Sequence, residues 1–407
     1  GVKEGRVAAY FKKNQKARSD LVVATVGEDD PHGLAARHGW TVGTLVRGSA
    51  LYVQLPTQQS WAPKNWPKTF NQLEDLIAHT TDHTLSALNW IENNKEDSRY
   101  FLIVLVQDGT CYGYLIYPPP VARITSPNIF PVPIDRVDAN WALARDHELD
   151  VLQKRRKKRV LVLGCGSLGA PVAEQLARAG IGELHLLDKE FFEPENCSRH
   201  ILGASNIGSL KSGDLTAQIR RLVPGIAVKS IPALATDWLR EMCKPGTYDL
   251  VVDCTGESSV RTVLAHLREP SLGNCIVAHA WMEPFCAAAH VLILQHSDNW
   301  PTDDPYLKVN IAEWPDDTAV KLPACNAGFH SYGVADVSQA AGFVTERLLA
   351  TLDDTITDSI VCSFIRSALF FEGLKVKVKP GALVPTVASG LDAVQLTRKY
   401  MELFEIG

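Results

Sequence analysis

The run from Arg159 to Ala170 places glycines at 164, 166 and 169, the G-x-G-x-x-G spacing. In such a turn the first glycine lets the chain bend tightly and the second lets backbone N–H groups approach a phosphate. The third lets the following helix pack on its strand. Asp188 lies 188 − 169 = 19 residues past the third glycine, where nucleotide-binding folds place the acid that takes the ribose hydroxyls. Among the cations that follow are Arg199 and Lys211. Positioned cations beside an anion-binding turn offset the charge that develops on a transferring phosphoryl group.

These residues need elements to hold them. Val160 to Leu163 is an apolar run ending at a glycine, as expected of a buried parallel strand. Ala170 to Ala179 has helical composition, and Glu183 to Leu187 reads as the next strand, closing on Asp188. A helix from Lys211 to Leu222, a strand at Ala227–Ile231 and a helix around Trp238–Cys243 follow. The apolar strand Leu250–Val252 ends in Asp253, Cys254, Thr255, Gly256 and Glu257, and further strands are expected at Cys275–Ala280 and Ala288–Leu294. The alternation predicts an α/β fold, a doubly wound Rossmann-like sheet with its ligand at the carboxyl ends of the strands. Residues 295–324 crowd Trp, Pro and Asp without periodicity, which predicts a functional loop. Beyond Cys325 comes a helix with Val334, Val337, Ala340, Val344 and Leu348 on its apolar side. Strands at Ile360–Ile365, Leu369–Phe371 and Leu374–Lys379 and a helix ending near Phe404 complete the expected elements.

Residues 1–135 read as a separate, smaller α+β domain. Strands are expected at Asp20–Val26, Trp40–Val46, Ala50–Leu55, Tyr100–Val106 and Thr110–Tyr117, with one long helix over Phe70–Asn93. The proline-rich stretch from Pro118 to Pro133 reads as a linker. Asn140–Lys158 reads as a helix ending in a basic, solvated run, Lys154 to Arg159. The expected organisation is therefore 1–135 as an accessory or linker domain and 136–407 as the nucleotide domain with its crossover loop at 295–324. The 407 residues carry a net charge of −5, which offers no general pull toward nucleic acid. Nine cysteines without a C-x-x-C pair point to reduced thiols in a cytoplasm. No apolar run reaches spanning length, so no membrane segment is expected. The chain opens on Gly1, as a fragment of a longer polypeptide would.

Residues from about 155 to 350 resemble the ThiF-type adenylyltransferases, the fold of ubiquitin-activating enzymes and their bacterial sulfur-carrier relatives. The matching pieces are the loop from Gly164 to Gly169, Asp188, the box Asn196-Cys197-Ser198-Arg199, Lys211, the Asp253-Cys254-Thr255 strand end, and Cys325 ahead of a helix. An α+β unit before such a domain also resembles the bacterial CBASS antiphage fusions of conjugating, linker and activating domains. The resemblance implies an enzyme that uses ATP and Mg2+ to adenylate a protein's C-terminal carboxylate. Arg199 and Lys211 would contact the triphosphate, Asp188 the ribose, and Asn196 the phosphate or the incoming tail. Cys325 would accept the acyl group as a thioester for a ubiquitin-conjugating-like partner, with His330 a weaker candidate to assist it. The implied substrate is a ubiquitin-like protein or a cGAS-like nucleotidyltransferase with a free C-terminal tail, and the implied assembly a homodimer. Where the family carries a second acid after the Asp-Cys-Thr strand end, this chain has Gly256, which leaves Asp253 or Glu257 for the metal. Its arginine box before the glycine strand is also missing, with Arg145 or Arg155 as substitutes. Two competing readings are an NAD-dependent oxidoreductase, which leaves Asn196, Arg199 and Lys211 unexplained, and a non-catalytic scaffold, which Gly256 favours.

Overall fold

Apolar alternation turns the first part of the chain into a sheet. The computed structural model describes residues 2–7, 21–23, 48–57, 62–96, 100–107, 110–117, 126–136, 139–143, 149–223, 225–296, 298, 304–315, 318 and 331–404. The chain divides into two units, Gly1–Asp146 and His147–Gly407. In the first unit β1 (Val2–Val7), β2 (Leu21–Val23), β3 (Gly48–Gln54), β4 (Tyr100–Gln107), β5 (Thr110–Tyr117) and β6 (Asn128–Arg136) form a mixed sheet in the order β1-β3-β4-β5-β6-β2. The expected strand at 40–46 lies outside the described residues. β6 falls within the stretch expected to be a linker. Its prolines 131 and 133 are tolerated because β2 pairs only with Ile134–Arg136, so the edge beside them carries no ladder.

The helix expected over Phe70–Asn93 is two helices, Phe70–Thr80 and Ala87–Asn94. Asp82 and His83 turn the chain at φ +50° and +58°. Ser86 caps the second helix, and the Glu74 carboxylate accepts from the Ser86 hydroxyl (2.6 Å) and the Ala87 N–H (2.7 Å). Those local bonds outcompete helix continuation.

The second unit is built on eight strands. They are β7 (Arg159–Leu163), β8 (Glu183–Leu187), β9 (Ala227–Ile231), β10 (Leu250–Asp253), β11 (Ile276–Met282), β12 (Ala288–Leu294), β14 (Ile360–Arg366) and β16 (Ala393–Lys399). Two short strands, β13 (Ala312–Glu313) and β15 (Lys379–Pro380), pair separately. The order is β16-β14-β12-β11-β10-β7-β8-β9, parallel from β9 through β11 and antiparallel beyond. The order in which successive strands are laid down reverses between the parallel neighbours β7 and β10, which opens a crevice at their carboxyl ends. Leu161, Val251 and Val277 on one sheet face pack against Leu239 and Leu264 from helices Ala235–Glu241 and Ser258–His266. Helices Gly169–Arg178 and Val334–Leu352 lie side by side along the other face.

Three expectations for this unit change. Leu369–Phe371 belongs to a short helix, Ala368–Glu372, and only Lys379–Pro380 of the stretch after Leu374 pairs as a strand. Ala393–Lys399 is a full strand that the sequence reading missed. The loop expected to be irregular holds a helix, Pro305–Val309, capped by the Asp304 side chain, followed by β13. No helix among the described residues is long and apolar enough to cross a membrane.

Candidate nucleotide site

The glycine turn is fixed by contacts that only glycine permits. Gly164 leaves β7 at φ +83°, and a Cβ on it would lie 3.1 Å from the Thr255 backbone. The Gly164 N–H donates to Leu187 O (2.9 Å) and the Cys254 N–H to Leu163 O (2.8 Å), which ties together the ends of β7, β8 and β10. A Cβ on Gly169 would approach the Gly164 carbonyl oxygen to 1.9 Å, so helix Gly169–Arg178 seats directly on the turn. Gly166 is the opposite case, with nothing within 4 Å of where its Cβ would be. It faces a cleft lined by Gly164, Asp188, Glu190, Thr255 and Glu257. No side chain caps the first amides of the helix that starts there. That is the arrangement in which a helix N-terminus accepts an anion.

Asp188 braces the turn from the next strand. Its Oδ2 accepts from the Cys165 N–H and its Oδ1 from the Glu190 N–H, both at 2.7 Å. Burial pushes its carboxyl above the usual range, and the two amides offset only part of that. Each oxygen keeps a lone pair for a hydroxyl in the cleft. Lys211 opens helix Lys211–Leu222 and is 6% exposed; its Nζ donates to Glu190 Oε2 at 2.6 Å. Its charge reaches the Asp188 carboxyl and opposes the effect of burial there. Arg199 lies over the ring of Tyr332 at 5.5 Å, and the Tyr332 hydroxyl is 2.8 Å from Ser167 Oγ in the glycine turn. Asn196 uses its side-chain oxygen to accept the Glu193 N–H (2.9 Å), and its carbonyl accepts the N–H groups of Arg199 and His200. It therefore shapes the short turn that carries Arg199.

His200 is a buried neighbour of the turn that the sequence reading passed over. Its Nδ1 accepts the Leu202 N–H (3.0 Å), so Nε2 carries the proton and donates to Cys165 O (2.7 Å). Burial lowers its pKa, as do the charges of Lys211 and Arg199. Tyr332 was also missed. Their signals were modest: a histidine directly after the Asn-to-Arg box, and an aromatic residue just ahead of a helix.

Asp253 is 3% exposed, and the strand end lines the cleft through Cys254, Thr255 and Glu257 instead. Its Oδ1 accepts from the Thr255 N–H (3.0 Å) and hydroxyl (2.6 Å), and its Oδ2 pairs with His279 Nδ1 (3.0 Å). It is a poor fit for magnesium. Glu257 is exposed on the cleft wall and is the better fit. Gly256 between them has φ +71°, so an acid there would be strained although space surrounds it. Among the described residues no cluster of three His, Cys, Asp or Glu converges on a metal position. Cys325, His330 and Arg145 lie outside the described residues. Arg155 is buried against Asp353 (2.9 and 2.5 Å), inside its own unit. Burial raises the Cys165 and Cys254 thiols, in keeping with packing roles. Cys197 is exposed on its turn.

Residues 138–271 match the family model described as the ThiF family. A curated relative, the ATP-dependent ubiquitin transferase-like protein Cap2 of Vibrio cholerae, is 26% identical over 246 residues, which is 58% of this chain and 42% of the relative. Adenylyltransferase and sulfurtransferase MOCS3 of Mus musculus is 41% identical over 97 residues, covering 23% of this chain and 21% of the relative. The chain thus spans between 21% and 42% of the length of these relatives. Among solved structures, E. coli MccB with ATP aligns at a TM-score of 0.42 with 16% identity, over 58% of this chain and 67% of that one. The segment similar to the ThiF family, residues 138–271, contains the glycine turn, Asp188, Asn196, Arg199, Lys211 and Asp253.

Proposed function

We propose that the chain uses ATP to adenylate the C-terminal carboxylate of a protein substrate. The observation that carries this reading is the open Gly166 turn beside Asp188, with Arg199 on Tyr332, whose hydroxyl meets Ser167 of the turn, and Lys211 on Glu190 of the cleft wall. The phosphates would sit on the turn and the helix N-terminus, and the ribose on Asp188. Lys211 would exchange Glu190 for the triphosphate. A carboxylate oxygen of the tail then bonds to the α-phosphorus while the bond to the β-phosphate oxygen breaks and pyrophosphate leaves. Arg199 and Lys211 would offset the charge on that phosphorus. Magnesium would be held by Glu257 and the phosphate oxygens, and would neutralise the leaving pyrophosphate.

The acyl adenylate would pass to Cys325: the thiolate bonds to the acyl carbon, AMP leaves, and a thioester results. Cys325 is seven residues before Tyr332, and seven residues span at most about 25 Å. The Tyr332–Ser167 bond therefore supports a thiol tethered within reach of the turn. The relatives named ATP-dependent ubiquitin transferase-like protein Cap2 support a protein substrate; the finer form of our reading is a ubiquitin-like or cGAS-like substrate, a conjugating partner and a homodimer. Pyrophosphate exchange into ATP that depends on a carrier protein tests the first step. A chain that binds ATP but shows no exchange with its carrier overturns it. Arg199→Ala should reduce exchange by ~10²–10³. A DTT-sensitive carrier adduct that persists in Cys325→Ala would remove that residue from its role.

A further inference from the structure

We propose that Tyr332 is a positioning residue that couples the glycine turn to Arg199. This rests on the nucleotide-site reading above and adds a residue to it. Tyr332 makes two unlike contacts at once: its hydroxyl is 2.8 Å from Ser167 Oγ, and its ring carries the Arg199 guanidinium at 5.5 Å. A guanidinium over an aromatic face is held by the ring quadrupole, with its N–H groups directed outward in its own plane. Ser167 sits between Gly166, whose surroundings are open, and the first residue of helix Gly169–Arg178. Tyr332 therefore links the anion-binding amides to the cation that must lie opposite them.

The base of this link is rigid. Tyr332 precedes Gly333, the cap of helix Val334–Leu352, whose N–H donates to Asp336 Oδ2 (2.9 Å). Asp336 is itself held by Arg366 at 2.6 Å. The long helix lies along helix Gly169–Arg178, so the helices that begin just after Tyr332 and just after Ser167 pack on one another. Without the ring, Arg199 loses the aromatic face at 5.5 Å that restricts its rotamers.

The test is ATP affinity by calorimetry on the 407-residue chain, with adenosine as a control that lacks phosphates. Tyr332→Leu should weaken ATP about 5-fold, the size of a lost cation–π contact and hydroxyl bond, and leave adenosine unchanged. Tyr332→Phe keeps the ring, should recover most of that loss, and should match Ser167→Ala. In an Arg199→Ala background Tyr332→Leu should add less than 2-fold, because the two act through one another. Equal losses for ATP and adenosine, or multiplicative losses in the double variant, overturn the proposal. If the wild-type chain binds ATP but lacks carrier-dependent exchange, the adenylation reading fails while the coupling stands on the affinity cycle. A wild-type chain without ATP affinity ends both.

Discussion

Gly166 and Gly169 are three residues apart and do opposite work. A methyl on Gly169 collides with the Gly164 carbonyl at 1.9 Å, whereas a methyl on Gly166 meets nothing within 4 Å. Gly166→Ala should therefore keep its stability within about 0.5 kcal/mol, the range of surface changes, and lose ATP affinity at least 10-fold. Thermal unfolding and calorimetry together check this, and unchanged affinity would show that no phosphate sits there. Gly169→Ala should lose both. His200 makes a prediction in pH. It works as the neutral Nε2–H tautomer, and its pKa is depressed. A depressed histidine gives its full stability above the unfolded value of about 6.5 and loses it as pH falls toward the folded value. His185 and His290 are lowered too, so wild type alone cannot report it. The urea-midpoint advantage of wild type over His200→Gln, worth about 1–2 kcal/mol at pH 7.5, should shrink as pH drops to 5.5. A constant gap would contradict the tautomer. The glycine turn and Asp188 were legible because each rests on local spacing. Tyr332 was not, because its partners Ser167 and Arg199 stand 165 and 133 residues away.

At the scale of elements, the loop after β12 is sewn down by buried charge. Glu283, just past β11, accepts from the Ile311 N–H (2.6 Å), Trp314 Nε1–H (2.8 Å) and His290 Nε2 (2.8 Å), and His290 in turn meets Ser363 Oγ (2.8 Å). A Ser–His–Glu line invites a hydrolytic reading, but Ser363 and His290 are 0% exposed and Glu283 1%. No substrate reaches it, so its work is to hold elements together. The start of the loop is pinned separately by Arg261 on Asp304 (2.9 Å). Burial raises the Asp304 carboxyl, but the Arg261 guanidinium outweighs it and holds the pKa low. Glu283→Gln puts an amide N–H against donors and leaves one of them unsatisfied, which costs about 1–3 kcal/mol. Limited proteolysis should then cut within 304–315 faster than in wild type; equal rates would mean the loop is held by its other contacts alone. Composition pointed to a special segment here but not to its order, since the partners Glu283, Arg261 and Lys379 are distant in sequence. Ala393–Lys399 is different: its alternation was there to be read and was obscured by the polar half of the pattern.

Across the whole molecule the sheet is polar in function. The amino ends of β7 and β8 are closed by ion pairs, Arg159 with Glu183 (2.7 Å) and Lys158 with Asp249 (3.8 Å). The basic run read as a solvated helix end is therefore largely spent on strand ends and on Asp353. The carboxyl ends are left to the turn, Asp188, Arg199 and Lys211, and all of these belong to the unit His147–Gly407. That unit alone should bind ATP with the affinity of the whole chain. The choice of starting residue decides whether it folds. Leu152 is 0% exposed, and a Cβ on Gly180 would meet its Cδ1 at 2.3 Å. Arg155 makes the bidentate pair with Asp353 that ties helix Leu149–Arg155 to the end of helix Val334–Leu352. A chain begun at His147 keeps both. One begun at Arg159, the first residue of β7, exposes the Leu152 site and leaves Asp353 without its cation, which together cost about 3–5 kcal/mol. Urea unfolding of the two truncations, each followed by ATP calorimetry, separates these outcomes. If the longer piece folds but fails to bind ATP, residues before 147 complete the site.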